Sequence, residues 1–118
     1  MNKERSIPVF PMDDPAKARR FYVDGLGFRE LFAGHYGRDG TILGFERGDL
    51  RINLDCPMPG HGRAACACLE VTDADEIFEQ WRARVPIPHG PKTEDWGART
   101  FTVIDPFGNT LFVIGPVK

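Results

Sequence analysis

The sequence predicts an α+β fold of two paired β-α-β-β-β modules whose curved sheets form a cleft. Three observations predict it. Asp14 and Asp73 both open helix patterns and stand 59 residues apart, as do Tyr22 and Trp81. One strand-like run precedes each helix pattern and three follow it. Between the two sets lies Cys56-Pro-Met-Pro-Gly-His-Gly-Arg63, a linker by composition. Duplication of one unit accounts for all three. The 118 residues then make a single domain, 1–118, with module one at 6–55, the linker at 56–64 and module two at 65–115.

Module one begins with a short strand over 6–12. Asp14 supplies a helix cap, Pro15 suits the first helical position because it lacks an amide, and Gly25 ends the helix in a left-handed turn. Ala18, Phe21, Tyr22 and Leu26 fall at helical spacing and give the helix one apolar face. Strands at 28–33, 41–46 and 50–55 follow, parted by Gly-Arg-Asp-Gly and Arg-Gly-Asp turn signals. In the last of them Leu50, Ile52 and Leu54 alternate with Arg51, Asn53 and Asp55.

Module two repeats the order. A strand at 65–71 leads to a helix capped by Asp73, with Glu76 in the capping-box position. Ala74, Ile77, Phe78 and Trp81 form its apolar stripe, and Pro86 stops it. The stretch 87–94 supplies a short, Pro-bounded edge strand, and strands at 99–104 and 110–114 finish the module. The inner faces of two such sheets would stand exposed, so pairing them makes a cleft that a ligand can enter.

Composition removes several function classes. The chain is 42% apolar and 27% charged with a net charge of −2, which gives no basis for nucleic acid as a partner. Lys17, Arg19 and Arg20 cluster on what reads as a solvated helix face. No apolar run approaches the roughly 18 residues of a membrane span, and the N-terminus lacks a signal-peptide core. Cys56, Cys66 and Cys68 make an odd set without a Cys-x-x-Cys pair, as in a reduced cytoplasmic protein. Ser6 is the only serine and has no neighbouring His. Asp13, Asp14, Asp73, Asp75 and Glu76 are explained as caps and first-turn charges, so no catalytic residue is assigned.

Several short motifs carry a family resemblance. Pro8, Asp14, Phe21-Tyr22 and Leu26-Gly27-Phe28 resemble the opening of the vicinal oxygen chelate superfamily, which includes glyoxalases, bleomycin resistance proteins and dioxygenases. Asp105-Pro106-Phe107-Gly108-Asn109 looks like its closing turn. Trp96-Gly97 and Arg47-Gly48-Asp49-Leu50 are similar to the bleomycin-resistance, antibiotic-binding branch. The resemblance spans residues 6–115 and implies the glyoxalase/bleomycin-resistance fold. It also implies either a metal enzyme or a metal-free antibiotic-binding protein with grooves at a homodimer interface.

The metal question is asked at the positions where the resembling enzymes hold His, Glu or Gln. These fall on Ile7, on Asn53 (or Ile52 with the register moved by one), on Cys66 and on Phe112. Ile and Phe cannot ligate, and a neutral Asn amide is a poor partner for one Cys. No metal and no cofactor are therefore expected. His35, His61 and His89 all lie in Gly- or Pro-rich loops, and Cys66 and Cys68 read as small buried thiols.

The cleft becomes an apolar groove with a few polar points. Trp96 is the leading ligand-binding candidate, able to stack on a flat heteroaromatic or hold a cation, with anchoring of its loop as the alternative. Phe32, Phe45 and Phe112 follow, each with a core role as the alternative, and Asn53 could orient a ligand. Glu94 and Asp95 could attract a cationic tail.

The reading is a homodimeric, cytoplasmic binding protein, resembling bleomycin resistance proteins, that sequesters an aromatic or cationic antibiotic without catalysis. The resemblance implies exchange of the N-terminal strand at Pro8. The alternatives are a metal-dependent lyase, dioxygenase or thiol transferase using Cys66 and a loop His, and a binding module for an endogenous metabolite.

Overall fold

A computed structural model describes residues 4–56 and 65–118. It has the expected α+β fold. In module one, β1 (Val9–Pro11) leads into α1 (Pro15–Arg19), which widens into a π-helical turn over Arg20–Gly25. Three strands follow: β2 (Arg29–Tyr36), β3 (Gly40–Arg47) and β4 (Leu50–Cys56). Module two comprises β5 (Cys66–Glu70), α2 (Ala74–Trp81), β6 (Lys92–Thr93), β7 (Ala98–Ile104) and β8 (Thr110–Pro116). The sheet orders are β1-β4-β3-β2 and β5-β8-β7-β6. The linker expected over 56–64, with His61, lies outside the described residues from 57 onward.

The duplication extends to hydrogen-bond register. Val9 of β1 pairs in parallel with Asn53 of β4, and Cys68 of β5 pairs in parallel with Phe112 of β8. Each member of the second pair stands 59 residues after its counterpart in the first. Both helices start alike. The Asp14 carboxylate accepts from Lys17 N at 3.2 Å, and the Asp73 carboxylate accepts from Glu76 N at 3.1 Å.

Strand alternation separates two faces on each sheet. Leu43, Phe45, Ile52 and Leu54 face the first helix and are fully buried, with the Phe45 ring stacked on Tyr22 at 5.5 Å. Phe101, Val103, Leu111 and Val113 do the same beneath α2, where Phe101 meets Trp81 edge to face. One hydrophobic cluster contains residues of both modules.

The modules meet through their helices and the closing turn. Trp81 Nε1 donates to the Leu26 carbonyl at 2.9 Å. The Asp105 carboxylate, 4% exposed, accepts from Tyr22 OH at 2.7 Å, from the amides of Phe107 and Asn109, and from Asn109 Nδ2. Asn109 Nδ2 also donates to the Pro11 carbonyl at 2.9 Å, tying the turn of module two to β1 of module one. Burial, and then the Asp105 charge, push the Tyr22 phenol well above its ordinary range.

Two glycines behave differently from expectation. The left-handed residue after the first helix is Gly27, at φ +77°, rather than Gly25. Gly25 is required for space, because a Cβ there would stand 2.6 Å from Val85 Cγ1. The helix end can approach module two only without a side chain at that position.

Strand limits also moved. The first strand is shorter than 6–12, β2 runs on to Tyr36, and the edge strand within 87–94 shrinks to Lys92–Thr93. Pro88 and Pro91 account for the last of these, since proline cannot donate to a ladder.

Tyr22→Phe should lower the unfolding free energy by about 1.5–3 kcal/mol, the range for a hydrogen bond to a charged group. A phenol whose folded pKa is raised stabilises fully below its unfolded value and loses that contribution as pH rises above about 10. Urea titrations should therefore show an alkaline loss of stability that Tyr22→Phe reduces. Gly25→Ala should cost about 1–3 kcal/mol by overpacking, and Val85→Ala in the same chain should recover part of it in a double-mutant cycle.

Candidate functional site

Residues pointing away from the helices form an open face on each sheet. On the first sheet this face carries Phe32, Tyr36, Ile42, Arg51, Asn53 and Asp55, by alternation and by the register Phe32↔Gly44. The Phe32 ring lies directly over Gly44, where a Cβ would come within 2.1 Å of it. A glycine inside the strand thus lets the ring lie flat on the sheet with 39% of its surface exposed. Asn53 donates its amide to the Pro8 carbonyl at 3.0 Å, and its side-chain oxygen accepts from Arg51 Nη2 at 3.4 Å.

On the second sheet the open face holds a cavity of about 590 Å³. Phe112, Ile104 and Pro88 supply its apolar surface, and His89, Lys92 and Glu94 its charged and polar rim. The register Thr102↔Phe112 places a threonine methyl and hydroxyl beside the Phe112 ring. Glu94 is the ordered charge. It accepts from Thr100 Oγ1 at 3.1 Å and pairs with Lys92 Nζ at 3.3 Å. The Thr100 hydroxyl first, then Lys92 and the Trp96 indole, hold the Glu94 carboxyl below the usual carboxylate range. A carboxylate fixed beside an apolar wall suits a ligand that is cationic at one end and aromatic at the other.

The five expected ligand-binding residues separate into three groups. Phe112 lines this cavity. Trp96 is 62% exposed and stands beside it through Glu94, so its indole does not anchor the loop in the core. Phe32 and Asn53 lie on the other module's open face. Phe45 drops out: it is fully buried under the first helix and stacked on Tyr22. Its strand position, one residue from Gly44, puts it on the helix side.

His89, Lys92, Thr102 and Ile104 were missed by sequence reasoning. The alternation of Thr102 and Ile104 with Phe101 and Val103 already marks a face opposite the core. Their meeting with Phe112 depends on cross-strand register.

The four positions that the enzymes of the resembling superfamily use for metal do not fit one. Ile7 precedes β1, Asn53 is on the first sheet, and Cys66 and Phe112 are on the second. The alternative register is closed as well, because Ile52 is fully buried on the helix side. Among the described residues no three His, Cys, Asp or Glu side chains gather as a metal would need. Contrary to expectation Cys66 and Cys68 are exposed on the open face. Burial of part of its surface, then Glu70 and Cys66, push the Cys68 thiol up.

Known proteins resemble this chain in sequence and in fold. A curated bleomycin resistance protein of Klebsiella pneumoniae is 27% identical over 94% of this chain and 91% of its own length. A bleomycin-binding protein from bleomycin-producing Streptomyces verticillus, solved with copper(II)-bleomycin, is 30% identical, with a TM-score of 0.74 and 100% of both chains covered. Another bleomycin-binding protein solved with bleomycin is 25% identical, with a TM-score of 0.76 over 98% of this chain and 100% of its own. The family model described as Glyoxalase/Bleomycin resistance protein/Dioxygenase superfamily matches residues 8–113, and the chain belongs to that superfamily.

Proposed function

We propose that this chain is a bleomycin-resistance-type binding protein that sequesters an aromatic, cationic antibiotic without turning it over. The observation that carries the reading is the groove of the second sheet, where Phe112 and Ile104 offer an apolar wall and Glu94 a fixed negative charge. Trp96, exposed beside Glu94, stacks on a heteroaromatic group of the ligand. The likeness to bleomycin-binding relatives supports bleomycin as the first ligand to try.

The working unit in this proposal is a homodimer. The groove is lined from one module, and the open face of the first sheet remains uncovered. A two-fold partner would lay its Phe32 and Asn53 over the groove and cover both faces. Strand β1, which pairs with β4 within the chain, would come from the partner if the chains exchange at Pro8. No helix among the described residues is long and apolar enough to cross a membrane, and the protein is proposed to act in the cytoplasm, where its free thiols stay reduced.

Titration with bleomycin followed by Trp fluorescence should saturate with a dissociation constant at or below about 1 μM. Trp96→Ala and Phe112→Ala should each weaken binding by about tenfold or more, with unfolding midpoints recorded alongside. A flat fluorescence trace together with no thermal shift would exclude bleomycin as the ligand. Light scattering should give twice the chain mass; a monomer at micromolar concentration would refute the shared groove.

The Glu94 carboxyl is depressed, so it stays charged above its ordinary value and protonates only as pH falls through the lower folded value. Affinity for a cationic ligand should be level from about pH 8 to pH 5 and decline below about pH 4. Glu94→Gln should bind more weakly at neutral pH and lose its share of that acid dependence.

A further inference from the structure

A second depression, of about 480 Å³, lies at the junction of the modules on their helix side. Two arginines from opposite modules line it. Arg47, at the end of β3, stands over the Trp81 ring at 5.7 Å and donates through Nη2 to Gln80 Oε1 at 2.6 Å. Arg84, just after α2, donates through Nη1 to the Asp24 backbone carbonyl at 3.1 Å. Both anchors are neutral, so each guanidinium keeps its charge and most of its five donors.

Arg19, Arg29, Arg82, Lys92, Arg99 and Lys118 each pair with a carboxylate. Arg47 and Arg84 have no carboxylate partner among the described residues. Across Arg84 a shallower depression of about 230 Å³ adds Lys17 and Arg20 above the apolar surface of Phe21 and Val85. In a chain of net charge −2, four basic residues, Arg47, Arg84, Lys17 and Arg20, line these two adjoining depressions.

We propose that the junction is a binding site for a small oxyanion, with one phosphate or carboxylate group held between Arg47 and Arg84. A guanidinium presents a planar fork of donors that matches either group, and two of them grip it from both sides. Asp24 lines the same depression, so its negative charge offsets part of the arginines' and the site suits one anionic group rather than a polyanion. Because one arginine belongs to each module, the anion bridges the two and stabilises their packing by mass action. The site is remote from the Phe112 groove, shares none of its lining residues and stands independently of it.

The test is a titration of the full chain with inorganic phosphate and, separately, with malonate at constant ionic strength, read by ¹H–¹⁵N spectra that include the arginine Nε–H signals. Saturable shifts at Arg47, Gln80, Gly27 and Arg84 are expected, with half-saturation at or below about 10 mM. Arg84→Gln should weaken binding at least tenfold. Arg84→Lys, which keeps charge but loses the fork, should fall between it and the parent. Arg38→Gln, away from the junction, should bind as the parent does. Urea midpoints certify that each variant is folded. Saturation by phosphate alone or malonate alone identifies the oxyanion. Shifts that stay linear with both anions, or equal affinity in a folded Arg84→Gln and Arg84→Lys, overturn the site.

Discussion

The buried carboxylate of Asp105 is the interaction on which the arrangement of this molecule rests. It closes its own turn through the amides of Phe107 and Asn109, and it receives the Tyr22 phenol from the other module. A carboxylate with so little solvent must be given donors, and here the donors come from two halves separated by 83 positions in sequence. Asn109 repeats the strategy. It binds Asp105, the Pro11 carbonyl and the Ala65 amide, and so joins the start of both modules to one turn. Supplying these donors aligns the modules through their helices, with Trp81 on the Leu26 carbonyl and Gly25 against Val85.

That alignment has a functional consequence. Because the helices and the closing turn join the modules, the helix-facing side of each sheet is consumed by the core. The other side is left for recognition. On the second sheet the free side is hollowed between the edge strand and Phe112, and Glu94 is held at its rim by Thr100. On the first it is flattened by Phe32 lying on Gly44. One module supplies a groove and the other a face that mixes Phe32 and Ile42 with Arg51, Asn53 and Asp55, the two surfaces that the proposed dimer brings together.

At the positions where the resembling enzymes hold a metal, this chain carries residues that do not fit one. A metal site of this architecture needs donors facing one another from the open sides of the strands. At those positions Ile7 and Phe112 present hydrocarbon. The scaffold keeps the closing turn while the open face of the second sheet offers apolar surface with the Glu94 carboxylate at its rim.

Much of the fold was legible from local rules. Two Asp caps, two apolar helix stripes, period-two strands and the Asp105–Asn109 corner each act over a few residues, so the chain itself specifies them. Their recurrence 59 residues apart determined the two modules and even their matching strand register. The missing ligands at Ile7 and Phe112 were equally plain, since a side chain without donor atoms lacks them in any fold. Tertiary structure decided which aromatics stand exposed and which are core. Phe32 and Phe45 look alike in sequence, but the bulge between Glu30 and Phe32 and the pleat of β3 turn one outward and bury the other. It also decided the partners of Phe112, the role of Gly25 as a space rather than a turn, and the placing of Arg47 and Arg84 around one depression. Each depends on which residues are brought opposite one another across strands and modules, a property of register and packing that no local pattern encodes.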